Sequence, residues 1–132
     1  MLDALSLPIC VASSSTLEQI RGKLQLTGLL KYFGENLFSA TMVARGKPAP
    51  DLFLHAAQQM AVVPDCCLVV EDSPAGIEAA RAAGMTVIGF SGGSHCGRGH
   101  GAVLQEHGAT LLIEDMRQLA NALAKLTQSV VR

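Results

Sequence analysis

Ser13, Ser14 and Ser15 follow the apolar run Leu-Pro-Ile-Cys-Val-Ala, Lys47 stands before Pro-Ala-Pro, and Glu71 and Asp72 end Leu-Val-Val ahead of Ser-Pro-Ala-Gly. Hydroxyls beside a helix N-terminus can hold a phosphate oxygen, yet serines there also serve simply as caps. A lysine can neutralise a phosphoryl group, yet most single lysines stay in water. Adjacent carboxylates give hard oxygen ligands suited to magnesium, yet the same pair can close an Asx turn or cap a helix. Each feature alone has an ordinary explanation, so their placement in the fold decides between the two uses.

Short apolar runs alternate with stretches of helical period, the pattern of an α/β fold with a parallel sheet. Residues 7–12, 38–43, 66–70, 86–90 and 109–113 read as strands. Ser15 and Glu18 form a capping-box pattern before a helix with Leu17, Ile20, Leu24 and Leu26 on its apolar side, and Gly28 ends it. A second helix follows Pro50 and buries Leu52, Phe53, Ala56 and Met60. The alanine-rich stretch after Pro74 is a third, closed at Gly84, and residues 114–126 form a last one with Met116, Leu119, Leu123 and Leu126 inward. The serines, the lysine and the acids therefore all fall on strand-to-helix loops, the side on which open α/β sheets bind ligands.

In that order and placement, Ile-Cys-Val-Ala-Ser-Ser-Ser, Gly-Lys-Pro-Ala-Pro-Asp-Leu-Phe and residues 69–85 resemble motifs two, three and four of the haloacid dehalogenase superfamily. The likeness is to its β-phosphoglucomutase and sugar-phosphate phosphatase branch and runs from about Leu5 to Leu123. It implies a three-layer, Rossmann-like core with a mostly parallel sheet. It also implies magnesium-dependent transfer of a phosphoryl group from a small phosphorylated metabolite, through an aspartyl-phosphate. Carried over, Ser13 hydrogen-bonds the phosphoryl group, Ser14 adds a contact, and Lys47 neutralises charge. Asp72 then binds magnesium directly, and Glu71 supports the metal or its waters.

The family's nucleophile motif, Asp-x-Asp-Gly-Thr, has no counterpart: Asp3, Asp51, Asp65, Asp72 and Asp115 are the aspartates, and no two stand two apart. The inserted cap domain is missing as well. By this resemblance the 132 residues form a single core domain, truncated at its N-terminus. Without a nucleophile, covalent phosphoryl transfer by the chain alone is not expected. The alternative is a non-catalytic remnant, or a truncated chain that folds by oligomerising, with at most weak phosphate or magnesium binding. The missing strand lies centrally in the family sheet, between those ending in Ser13 and Glu71. Its loss exposes strand edges, so either these strands close up or a homo-oligomer forms.

A net charge of −1 with scattered basic residues gives no footprint for nucleic acid or an anionic membrane. No run approaches the length of a membrane span, and no secretory leader is visible. Cys10, Cys66, Cys67 and Cys96 lack Cys-x-x-Cys spacing, which fits free thiols in the cytoplasm. His95, Cys96 and His100 cluster in residues 91–101, but lack the four ordered ligands of structural zinc and read as a flexible glycine loop. His55 and His107 read as surface residues without a role.

Overall fold

The computed structural model describes residues 8–92 and 99–122. Its first part runs β1 (Val11–Ser13), α1 (Leu17–Thr27), α2 (Leu30–Phe33), β2 (Leu37–Ser39) and α3 (Asp51–Gln59). Then come β3 (Leu68–Glu71), α4 (Pro74–Ala82), β4 (Thr86–Phe90), α5 (His100–Glu106) and β5 (Leu111–Ile113). Every strand pair is parallel, and the connections pass through helices, as the alternating pattern requires.

The described strands form two sheets rather than one. β1 pairs β2 with Ser13 opposite Ser39, while β3, β4 and β5 form the second sheet in that order. No ladder joins β1 to β3 among the described residues, so these two strands have not closed up on each other.

The larger sheet is covered on both faces, which explains its nearly continuous apolar strands. Val69 and Val87 pack with Phe53, Ala57, Ile77, Ala80 and Leu104 from α3, α4 and α5. On the other face Ile88 and Ile113 pack with Leu119 and Ala122 of the helical stretch 119–122. A third cluster, Phe38, Leu52 and Ala56, seats α3 on the smaller sheet. Ala12 of β1 packs against both the first and the third cluster, so apolar contact joins the halves where strand pairing does not.

Several sequence expectations shift. The second strand covers residues 37–39, and Ala40–Met42 turns as a 3-10 helix instead of extending it. The capping box of α1 is Thr16 with Gln19, one residue beyond the Ser15 and Glu18 pair. Gln19 is as able as glutamate to accept the cap's backbone N–H, so either register satisfies the pattern. Leu26 is 90% exposed and leaves the apolar stripe, whereas Ile20 is buried. α1 stops at Gly28, whose φ of 73° suits the left-handed end of a helix. α2 and α5 had no sequence signal: each is short, and α5 begins inside the glycine-rich stretch. Leu119 is buried as expected, while Leu123 and Leu126 lie outside the described residues. His55 is half-buried with its ring edge-on to Phe38, and His107 pairs with Glu78 at 2.6 Å.

Candidate phosphate and metal site

The carboxyl ends of β1 and β3 carry the candidate residues. Thr16 caps α1, so the serines before it are not needed as caps. Ser13 Oγ accepts the Ser15 backbone N–H at 3.1 Å, tightening the loop, and Ser14 is exposed on it. The loop is held from below by Ser39, a fully buried serine at the end of β2 that donates to the Ser15 carbonyl at 2.6 Å. Ser39 in turn accepts from the Thr41 backbone N–H at 3.2 Å and contacts the Thr41 hydroxyl at 2.9 Å. Sequence reasoning missed this residue. Its signal is the pairing of Ser13 with Ser39, which emerges only once the strand register is known.

Lys47 is not a solvated lysine. It lies in the loop before α3, and its Nζ donates to the Ala12 carbonyl at 3.3 Å and to Glu71 Oε2 at 2.5 Å. The same nitrogen stands 5.0 Å from the centre of the Phe53 ring. Only 10% of the Lys47 side chain and 11% of the Glu71 side chain are exposed. Charges withdrawn this far from water persist because each meets its opposite and further polar partners. The lysine thus ties the end of β1 to the end of β3 across the gap between the sheets.

Glu71 and Asp72 are not the cap of α4 either. Ser73 fills that position, accepting the Gly76 N–H at 3.0 Å, and Pro74 begins the helix. Glu71 Oε1 accepts from the Asp72 N–H at 3.2 Å and from Ser73 Oγ at 3.4 Å, while Oε2 faces Lys47. The Glu71 side chain lies so close over the first turn of α4 that a Cβ on Gly76 would collide with its Cγ, Cδ and Oε2. Asp72 follows directly and is half-buried.

Of the residues singled out by sequence, Lys47 and Glu71 are in direct contact. The lysine also reaches the carbonyl of Ala12, the neighbour of Ser13, while Asp72 follows Glu71 and Ser14 is exposed on the serine loop. His100, grouped by sequence with His95 and Cys96, instead reaches the Asp72 carbonyl, its Nε2 lying 2.6 Å away. His95 and Cys96 lie outside the described residues.

The donor set can be tested against magnesium. Among the described residues no group of three or more acids, histidines or cysteines is placed to hold a metal. Magnesium does not need one, because it binds through one or two carboxylates and completes its shell with waters and phosphate oxygens. Two adjacent carboxylates at a strand end fit that requirement. With Glu71 engaged by Lys47, Asp72 suits direct ligation and Glu71 an outer role.

A family model for haloacid dehalogenase-like hydrolases matches residues 1–84. The 6-phosphogluconate phosphatase of Escherichia coli is 36% identical over 95 residues, covering 72% of this chain and 43% of the relative. A β-phosphoglucomutase of Mycobacterium bovis is 36% identical over 120 residues, covering 88% of this chain and 44% of that protein. The chain thus spans less than half the length of these two relatives. Among solved structures, a conserved haloacid dehalogenase-like protein of unknown function from Agrobacterium tumefaciens superposes with a TM-score of 0.92 at 42% identity, over 96% of this chain and 58% of that one. A hydrolase of the same family from Deinococcus radiodurans, solved with bound phosphate and sodium, gives a TM-score of 0.85 at 36% identity, over 94% of this chain and 55% of that one. With this match across most of its length, the chain belongs to the haloacid dehalogenase-like hydrolases, in the β-phosphoglucomutase-like branch.

Proposed function

We propose that these 132 residues form the phosphate- and magnesium-holding part of a phosphohydrolase or phosphomutase site acting on a small phosphorylated metabolite. The observation that carries this reading is the Lys47 bridge from the Ala12 carbonyl to Glu71, which joins the end of the strand carrying Ser13 to the end of the strand that leads into Asp72. The sugar-phosphate phosphatase and phosphomutase among the relatives support the substrate class.

In this reading the Ser13 hydroxyl donates its hydrogen to a phosphoryl oxygen while still accepting the Ser15 amide. Ser14 adds a second contact at the rim. Lys47 offsets negative charge as it develops, a role suited to a water-poor position because electrostatic stabilisation grows there. Asp72 ligates magnesium, and Glu71 holds both Lys47 and the metal's waters. Magnesium when bound supplies further charge neutralisation at the phosphoryl oxygens.

None of the chain's aspartates forms the Asp-x-Asp pair that would attack phosphorus and shuttle a proton. The chain by itself therefore binds ligand without turnover, and catalysis takes its nucleophilic carboxylate from elsewhere. The edges of β1 and β3 that no ladder covers among the described residues support a homo-oligomer. Cys10, Cys66 and Cys67 are free thiols, in keeping with a cytoplasmic setting, and no described helix is long and apolar enough to cross a membrane.

Melting the protein with magnesium chloride, with inorganic phosphate and with both tests the reading. A ligand selective for the folded state raises the melting temperature, by about 2–8 °C per kcal/mol in a domain of this size. Asp72→Ala should abolish the magnesium shift and Lys47→Met the phosphate shift. Absence of any shift in the parent protein would overturn ligand holding. Hydrolysis of p-nitrophenyl phosphate that disappears in Asp72→Ala would overturn the absence of turnover.

A further inference from the structure

His100 opens α5, twenty-eight residues beyond Asp72, and its half-buried ring brings Nε2 to 2.6 Å from the Asp72 carbonyl oxygen. A peptide carbonyl only accepts, so Nε2 is the nitrogen that carries the proton. The other hydrogen bonds described for this loop are local or reach it from Lys47: Ser73 to Gly76, and Glu71 to Asp72 and Ser73. They fix Glu71 and the start of α4. The peptide plane between Asp72 and Ser73 is gripped by His100 across the fold, and its tilt sets where the Asp72 side chain emerges from the chain.

We propose that His100 is a positioning residue that orients Asp72 for magnesium by clamping its carbonyl. The inference rests on the reading of Asp72 as a magnesium ligand. Groups that orient a metal ligand without touching the metal typically change affinity by about 10–100-fold when removed. Three features single out His100 for this work: the short contact, its origin in a separate element, and a target atom on the backbone of the acid itself.

The test uses the whole chain with His100→Phe, which keeps a ring and loses the donor, and His100→Gln, whose side-chain amide can donate to the same oxygen. His100→Ala stands in should the phenylalanine variant fail to fold. Magnesium affinity is read by titration calorimetry, and amide hydrogen exchange at residues 72–76 is read without metal. Expected are at least a tenfold loss of affinity and faster exchange in His100→Phe, with both largely restored in His100→Gln. Unchanged affinity and exchange in His100→Phe, or equal losses in the two variants, would overturn the proposal. If the parent chain takes up no magnesium, the reading of Asp72 as a ligand and the metal-orienting role of His100 both fall. Exchange then shows separately whether His100 orders the loop.

Discussion

Lys47 Nζ meets Glu71 Oε2 at 2.5 Å and joins the ends of β1 and β3, two strands that share no ladder with each other, and both side chains are about nine-tenths buried. Removing one member strands the other away from water, which costs about 3–5 kcal/mol for a buried pair. Lys47→Met and Glu71→Gln should each destabilise the protein on that scale. The double variant should lose much less than their sum, because neither charge is left alone. Urea unfolding of the four proteins checks this, and additive losses would show that the pair is uncoupled.

Gly76→Ala should displace Glu71 from its seat over α4. The added methyl would occupy space now filled by the glutamate side chain, and forcing atoms into a filled site costs about 1–3 kcal/mol. In an exposed helix interior the same change is worth up to about 1 kcal/mol in the stabilising direction. The sign of the stability change therefore reports whether Glu71 holds its place in solution.

Ser39→Ala removes a buried hydroxyl and leaves the Ser15 carbonyl and the Thr41 hydroxyl without that partner. An unsatisfied buried polar group costs about 1–3 kcal/mol. The loss should appear in urea unfolding together with faster hydrogen exchange at residues 13–15. A stability loss confined to β2, with an unaltered serine loop, would contradict the supporting role given to Ser39.

The described thiols should differ in reactivity. Cys66 is exposed, whereas burial, then the nearby Cys67, pushes the Cys10 pKa above its ordinary 9.0. The Cys67 thiol is also raised, by burial first and by Cys66 second. Iodoacetamide labelling followed by mass spectrometry at pH 8 should modify Cys66 first and Cys10 last, since the thiolate is the reacting form. The linkage sign follows: a raised folded pKa gives stability that is present below the unfolded value near 9.0 and lost as pH rises through the higher folded value. Stability should therefore decline above about pH 9, and Cys10→Ala should reduce the decline.

The sheet gap predicts self-association. Light scattering at micromolar concentration should give a mass above the monomer, and a monomeric mass would remove the gap as an association surface.

The order of strands and helices was legible because parallel α/β patterning writes itself into alternating apolar runs, as Leu68–Glu71 and Thr86–Phe90 illustrate. Lys47 and the acids could be singled out because their types and loop positions resemble motifs of the family, and the contact between Lys47 and Glu71 is what the fold adds. The burial of Lys47 was not legible, since its partners are 35 and 24 residues away in the chain. Ser39 and His100 escaped for a related reason: each acts on a backbone carbonyl, and carbonyls have no sequence signature. The shift of the α1 cap from Ser15 to Thr16 shows the limit of motif spacing where three serines and a threonine stand in a row.

β4 is the one described strand with a partner on each side, whereas β1 and β3, which present Ser13 and Glu71, each have a single partner among the described residues. Local opening starts where fewest ladders must break. The residues proposed to hold phosphate and metal thus ride on strands with one free edge each among the described residues, and β4 serves as the anchor. In this protein a ligand bound between Ser13 and Asp72 would also act as a clasp, closing by its own contacts a seam that the backbone leaves open.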